Sequence, residues 1–422
     1  MITKRNILVV SFALFSLFFG AGNLILPPQL GFNAGPNWWW VTLGFCLSAV
    51  LIPIFGILAH AKLQGTMFDF AKKVSPTFSL VYCYLVYGIS ISLPSPRTAS
   101  VTHEMGIAPF FGSSTLLTST LYFLLVFIFV INRSKILDVI GKLLTPAIIL
   151  ILVCIIAQAL FGFQFDFGQN QFEHPLASGF LEGYQTFDAI GAVVVGGVII
   201  VSINLKNDQL PYEQKKSAIA KAVLFSGLGL FLIYTGLVLT GALMHNEFDA
   251  TISRTALLSA ISLQTLGSTA NILLSVLVSL ACFTTAVGIV TGTSDFVKAQ
   301  FNNSNNAYLI TTIIGCLLGI VIGQFNVGYI IAVALPALMF IYPITIVLIL
   351  LNVMPKQYAS AKVFRLVVLA TIIFSIPDFL GSLGLGESIA HLTYWIPLSQ
   401  FQMGWVLPAL AAFFVANLVK WS

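Results

Sequence analysis

The length of its charge-free stretches constrains this sequence more than any other feature. No Asp, Glu, Lys or Arg occurs from Asn6 to Ala61, from Thr255 to Ser294, or from Ala299 to Pro355. A helix that crosses a bilayer needs about 20 apolar residues, so each of these stretches has room for two crossings and a turn. The pattern therefore predicts a polytopic membrane protein.

The composition excludes an ordinary soluble domain. Only 8% of the 422 residues are charged and 58% are hydrophobic, whereas soluble domains average about 25% charged residues. The remaining charge-free stretches, with spans near 179–205 and 361–380, bring the predicted total to about 12 helices. Strands of a membrane barrel alternate polar and apolar residues over about 10 positions, and no stretch here does so. We predict an all-α fold of transmembrane helices.

The basic residues predict the orientation. When the N-terminus with Lys4 and Arg5 is placed in the cytoplasm, the other Lys and Arg residues fall in cytoplasmic loops, except Arg97 and Arg254. This bias predicts a multi-pass protein with both termini in the cytoplasm. Apolar character continues past the proline pair after the first span, so we expect a retained helix rather than a signal peptide.

Signals for enzymatic or nucleic-acid chemistry are weak. The five cysteines lie scattered in apolar spans without C-x-x-C spacing, and the five histidines form no metal-binding motif. No nucleophile elbow or phosphate-binding loop occurs. The predicted cytoplasmic loops account for the net charge of +5, so no nucleic-acid partner is expected. No polar loop is long enough for a separate domain, and no obligatory protein partner is indicated.

The first informative feature is a run of helix-breaking residues in the first span. The residues from Phe19 to Asn23 (FGAGN) are followed by Pro27 and Pro28. We predict an unwound segment over 19–28, because irregular backbone at that depth persists only where it lines a cavity or is enclosed by protein. Freed amide groups suit a carboxylate, and freed carbonyl groups suit a cation. A packing kink at a helix contact is the structural alternative.

The second feature is an ionisable side chain in the sixth predicted span, within the run from Glu182 to Gly191. If this span begins near Ser178, Asp188 lies about 15 Å deep at about 1.5 Å per residue. A carboxyl group near the midplane is a functional candidate, and a purely structural pairing with Arg97 is the alternative.

The positions of these two features also predict an internal repeat. Interruptions in the first and sixth spans are the spacing expected of two inverted repeats of five spans. We place the repeats at roughly 6–160 and 178–352, within a single transmembrane domain that covers the whole chain.

The eighth predicted span carries a cluster of oxygen atoms. The carbonyl group of Ala281 and the hydroxyl groups of Thr284 and Thr285 present three oxygens at a spacing that suits a small cation. Hard cations bind oxygen ligands. The alternative is that these threonines donate hydrogen bonds to their own helix.

The third predicted span contains a cation beside a helix breaker. Arg97 directly follows Pro96 and needs a partner if it lies within the bilayer. It is a candidate gate, or a counter-charge to Asp188 or Glu104. Extension of its long side chain to the membrane surface as an anchor is the alternative.

Together these residues resemble the bacterial branched-chain amino acid:cation symporter family along nearly the whole chain. The resemblance is carried by FGAGN at 19–23 with PP at 27–28, PRTA at 96–99, EGY at 182–184 with Thr186 and Asp188, and TTAVG at 284–288. It implies the five-plus-five inverted-repeat (LeuT-like) fold of the amino acid–polyamine–cation superfamily, with two extra C-terminal helices at about 361–420. It also implies a transporter in the bacterial cytoplasmic (inner) membrane and not an enzyme.

The resemblance implies import of leucine, isoleucine and valine driven by sodium or protons, and no bound cofactor. The spacing of Ala281, Thr284 and Thr285 fits the second sodium site of sodium-coupled relatives, which favours Na+ over H+. Around the substrate it places Gly20, Ala21, Gly22, Asn23, Tyr184, Thr186 and Asp188. Around the sodium ion it places Ser16, Phe19, Ala281, Thr284 and Thr285. Sodium-coupled neurotransmitter-type relatives have an arginine three residues after the asparagine, where this chain has Leu26. Their outer gate therefore does not transfer, and Arg97 is the candidate substitute.

Other functions stay open at this point. A proton-coupled carrier of another small amino acid or of a nucleobase has the same architecture, with Asp188 as the proton carrier. A membrane enzyme is disfavoured because the cytoplasmic loops lack clustered acidic or nucleophilic residues. An ion channel is disfavoured because no repeated pore loop occurs.

Overall fold

The computed structural model describes residues 4–132, 136–206 and 212–418, and every regular element in these ranges is helical. The first ten helices are α1 (Lys4–Phe18), α2 (Ala21–Ala34), α3 (Trp38–Cys46), α4 (Ile52–Leu63), α5 (Met67–Ala71), α6 (Pro76–Ser92), α7 (Pro94–Val101), α8 (Ala108–Phe111), α9 (Thr115–Asn132) and α10 (Ile136–Gly162). The others are α11 (Pro175–Glu182), α12 (Asp188–Lys206), α13 (Tyr212–Leu243), α14 (Arg254–Gln300), α15 (Asn305–Gly323), α16 (Val327–Val353), α17 (Ala361–Leu380), α18 (Gly386–Thr393) and α19 (Val406–Leu418). The predicted all-α fold is confirmed.

Nine helical stretches in the described ranges are long and apolar enough to cross a membrane. Some of them are interrupted. The stretch Gly22–Leu63 turns at the short 3-10 segment Gly35–Asn37, and Arg254–Gln300 turns at Gly267, whose φ of +82° suits a residue without a Cβ. Shorter apolar runs occur in α12 and α19. The total of about 12 crossings, and the role of the last helices as additions to the repeat, stay predictions.

The middle of the fold is built around α2. This helix packs against α13 and α14 and contacts both α11 and the segment that follows α11. On the other side, α16 packs against α4 and α12, while α7 packs against α14. Residues from the beginning, middle and end of the chain therefore meet at one place in the fold.

The contact between α2 and α13 depends on two glycines. A Cβ on Gly241 would lie 1.9 Å from the carbonyl oxygen of Pro28, and a Cβ on Gly31 would lie 1.8 Å from the carbonyl oxygen of Val238. Backbones approach this closely only where side chains are absent. The two glycines thus allow α13 to hold α2 in position.

We expect Gly241→Ala to lower the melting temperature of the detergent-purified protein. The added methyl group would overlap a backbone carbonyl that cannot move aside, and overpacking costs about 1–3 kcal/mol of folding free energy. Gly88→Ala is the matched control, since a Cβ on Gly88 meets no atom within 4 Å. Equal melting temperatures for Gly241→Ala and the control would contradict the described contact.

Candidate functional site

The first interruption is two residues long. α1 ends at Phe18 and α2 begins at Ala21, with Phe19 and Gly20 between them. Gly20 has extended backbone, and its amide donates to the carbonyl oxygen of Phe18 at 3.1 Å rather than to that of Ser16, as a continuing helix would require. The break also leaves the first amides of α2 without acceptors within that helix.

This interruption is shorter than the segment 19–28 predicted from the sequence, and that part of the prediction is wrong. Pro27 and Pro28 both lie inside α2, which continues to Ala34. Membrane helices tolerate prolines where surrounding protein encloses the carbonyl groups that lose their donors. Every residue from Gly22 to Phe32 is buried, so α2 meets that condition.

The second interruption separates α11 from α12. The segment Gly183–Thr186 forms a 3-10 turn, and Phe187 then has a φ of +62°, which costs a bulky residue about 1–3 kcal/mol. The hydroxyl of Thr186 donates to the Gly183 carbonyl at 2.8 Å and accepts from the Asp188 amide at 3.2 Å. Asp188 begins α12, at the end where the helix dipole favours a negative charge.

Three buried polar side chains join the two interruptions. Nδ2 of Asn23 donates to Oδ2 of Asp188 at 2.6 Å and also to the hydroxyl oxygen of Tyr234 on α13. A carboxylate accepts about four hydrogen bonds, so the bond from Asn23 leaves Asp188 with capacity for a cation or an ammonium group. The sequence predicts Asn23 and Asp188 as site residues. It gives no signal for Tyr234, because a single tyrosine in an apolar helix has no distinguishing pattern.

Arg97, on α7, contacts both broken helices and is only 5% exposed. Its Nη1 donates to the carbonyl oxygen of Gln185 at 2.8 Å, and its guanidinium carbon lies 5.3 Å from the centre of the Phe187 ring. A Cβ on Gly22 would lie 2.6 Å from Nη2, so the guanidinium covers the face that this glycine leaves open. The alternative in which Arg97 extends to the membrane surface is therefore wrong.

Glu104 lies in a π-helical segment after α7 and binds the beginnings of two other helices. Its carboxylate accepts from the hydroxyl of Thr255 on α14 and from the backbone amide of Val327 on α16. The structure thus gives Glu104 these two partners rather than Arg97. Close to the start of α14, Arg254 forms an ion pair with Glu182 at the end of α11.

Of the two predicted threonines of α14, Thr285 lies near the first interruption. The hydroxyls of Thr284 and Thr285 donate to the Ala281 carbonyl at 3.0 and 2.9 Å, as the structural alternative requires. Oγ1 of Thr285 also lies 3.9 Å from the position that a Cβ on Gly20 would take. The structure therefore brings the Thr285 hydroxyl to the break at Gly20, and the role of these oxygens as cation ligands stays a prediction.

Tyr184 lies in the 3-10 turn and stacks on Tyr342 of α16, with ring centroids 4.3 Å apart. In the part of the chain that the structure describes, neither hydroxyl makes a hydrogen bond of standard geometry, although both are buried. A buried hydroxyl without a partner costs free energy, so each would gain from a polar neighbour. Contact between Tyr184 and a substrate stays a prediction.

Two broken apolar helices joined by buried polar groups are the arrangement of the helical membrane transporters with the LeuT-like fold. The chain is similar in structure to the inward-facing conformation of Mhp1, with a TM-score of 0.64 and 11% identity over 98% of this chain and 89% of that chain. It is also similar to MhsT in complex with L-phenylalanine, with a TM-score of 0.55 and 15% identity over 99% and 98% of the two chains. These likenesses show the predicted fold.

The chain belongs to the family described as branched-chain amino acid transport protein, which matches residues 3–422. It is 33% identical to the branched-chain amino acid permease BraB of Bacillus subtilis, over 96% of this chain and 93% of that protein. It is 32% identical to the branched-chain amino acid transport system 2 carrier protein of Pseudomonas aeruginosa, over 97% and 95% of the two chains. The predicted family is confirmed, and the protein is a multi-pass membrane transporter and not an enzyme.

Proposed function

We propose that this protein imports leucine, isoleucine and valine together with a cation, by alternating access to a site between the two interruptions. The observation that carries the proposal is the 2.6 Å hydrogen bond between Asn23 and Asp188, which brings the two broken helices together around buried polar groups. The names of its relatives support branched-chain amino acids as the substrate class.

In this proposal the substrate is a zwitterion held at both breaks. The amides from Gly20 to Gly22 face its carboxylate, and Asp188 with the hydroxyl of Thr186 receives its ammonium group. The aliphatic side chain enters an apolar pocket between the surrounding helices. Such pockets discriminate by only about 1–3 kcal/mol per methylene group, so the three branched-chain amino acids compete with one another.

The cation in this proposal is Na+, bound between α1 and α14. Carbonyl groups of Ser16, Phe19 and Ala281 and the hydroxyls of Thr284 and Thr285 are the proposed ligands. The missing helical bond to the Ser16 carbonyl and the closeness of Thr285 to Gly20 support this site. Sodium takes oxygen ligands as other hard cations do. Binding would favour the outward-facing state through its higher affinity for that state.

We expect Thr284→Ala and Thr285→Ala each to raise the sodium concentration that gives half-maximal leucine uptake by about tenfold. Each variant loses one oxygen ligand of the cation, a loss comparable to that of one hydrogen bond to a charged group. The measurement is uptake into proteoliposomes at a fixed leucine concentration. Thr293→Ala is the matched control, because Thr293 is buried in the same helix and also donates to its own helix, at 2.9 Å. An unchanged sodium dependence in both variants would remove the cation site.

Leucine flux in proteoliposomes tests the function itself. Sodium and pH gradients are imposed separately, and accumulation is expected with an inward sodium gradient alone. Leucine that equilibrates without accumulating under either gradient would contradict symport. Unlabelled isoleucine and valine are expected to compete, and lysine serves as the amino acid that does not.

A proton-coupled carrier of another small amino acid or of a nucleobase is the second candidate. The burial of the Asp188 carboxyl, which is 6% exposed, favours it, because a buried carboxyl group is a natural proton carrier. Accumulation after a pH step in the absence of sodium would support this alternative.

A further inference from the structure

The contacts of Arg97 supply only part of a counter-charge. The carbonyl of Gln185 is a dipole, and the ring of Phe187 offers a cation–π contact. A guanidinium has five N–H donors in a planar fork that matches a carboxylate, and the bond to Gln185 uses one of them. A buried arginine with this geometry favours an anionic partner.

Two acidic side chains near Arg97 already have partners of their own. These are the guanidinium of Arg254 for Glu182, and the Thr255 hydroxyl with the Val327 amide for Glu104. Asp188 accepts from Asn23, and the proposed function gives its remaining capacity to the substrate ammonium group. A carboxylate that binds the fork of Arg97 therefore comes most readily from a ligand.

We propose that Arg97 binds the carboxylate of the substrate through paired N–H groups, while Asp188 receives the ammonium group. The inference rests on the proposed function and deepens it, since it assigns one protein charge to each charge of the zwitterion. Arg97 bonds the carbonyl of Gln185 and Asp188 begins the next helix, so both charges lie at the second interruption. The amides from Gly20 to Gly22 then flank the carboxylate instead of holding it alone.

This assignment makes Arg97 a specificity-determining residue. Leucinamide keeps the side chain and ammonium group of leucine but has no carboxylate, so its binding leaves the fork of Arg97 buried without the anion that leucine supplies. The uncompensated charge penalises leucinamide relative to leucine. The ratio of the two affinities thus measures the contribution of Arg97, separately from any general effect on folding.

The experiment is competition against radiolabelled leucine with the full-length protein in lipid nanodiscs, with leucine and leucinamide as competitors. Wild-type protein is expected to prefer leucine strongly. Arg97→Gln is expected to weaken leucine binding about 30-fold with little change for leucinamide. Arg97→Lys keeps the charge without the fork and is expected to lose less of the preference. Arg365→Gln is the matched control, since Arg365 also donates to a backbone carbonyl, that of Val74, away from the site.

The outcomes separate this inference from the proposed function. A wild-type protein that does not bind leucine overturns the proposed substrate and this assignment with it. A wild-type protein that binds leucine and leucinamide equally overturns recognition of the carboxylate, by Arg97 and by the flanking amides, and leaves the proposed substrate class standing. Equal losses for the two ligands in Arg97→Gln overturn the role of Arg97, because they indicate a structural role. If Arg97→Gln does not fold, Arg97→Lys replaces it, and an unchanged preference for leucine over leucinamide in that variant also overturns the role of Arg97.

Discussion

The Gly22→Leu variant is expected to lose leucine binding while it keeps its fold. A Cβ at this position would lie 2.6 Å from Nη2 of Arg97 and 3.5 Å from the carbonyl oxygen of Gln185. The larger side chain would therefore fill the space between the two interruptions. Gly22→Ala displaces only the end of a flexible side chain and is expected to weaken binding about tenfold, as moderate overpacking costs about 1–3 kcal/mol.

Leucine binding and melting temperature, measured on the same samples in nanodiscs, check this prediction. Gly292→Leu is the matched control, because a Cβ on Gly292 of α14 meets no atom within 4 Å. The control is expected to bind leucine as wild type does. Retained leucine affinity in a folded Gly22→Leu protein would exclude the region between the breaks as the substrate site.

The local features of the site can be predicted from the sequence because they follow from backbone preferences. A glycine weakens a helix because its backbone is flexible, and the structure has the break at Gly20. Burying the carboxyl group of Asp188 in an apolar span costs free energy, so polar partners are expected around it. The structure supplies that environment at the beginning of α12, where Asn23 donates to the carboxylate.

Features that depend on tertiary packing could not be predicted. Pro27 and Pro28 stay helical because neighbouring helices enclose α2, and no local rule contains that information. The partner of Asn23 on α13 lies 211 residues away in the chain, and α13 reads as a plain apolar span. For Arg97 the sequence leaves a surface anchor and a buried partner equally open. Only the fold shows that it contacts the Gln185 carbonyl.

The Asp188→Asn variant is expected to lose cation-driven leucine accumulation by at least about 100-fold. Asparagine keeps the shape of the side chain and can still accept from Asn23 through its carbonyl oxygen, so the change removes charge rather than structure. The lost charge is the one that faces the ammonium group in the proposed site. Asp378→Asn is the matched control, because Asp378 is equally buried, at 6% exposed, but lies in α17 and accepts from the Gly404 amide.

The same variant also distinguishes the two coupling ions. If sodium drives transport and Asp188 holds the substrate ammonium, Asp188→Asn loses leucine binding even at saturating sodium. If Asp188 carries a proton instead, asparagine mimics its protonated form. Leucine binding and leucine–leucine exchange then persist, while accumulation after a pH step is lost. Accumulation at the wild-type level in Asp188→Asn would contradict both mechanisms, because it would make this buried carboxylate a structural partner of Asn23 and nothing more.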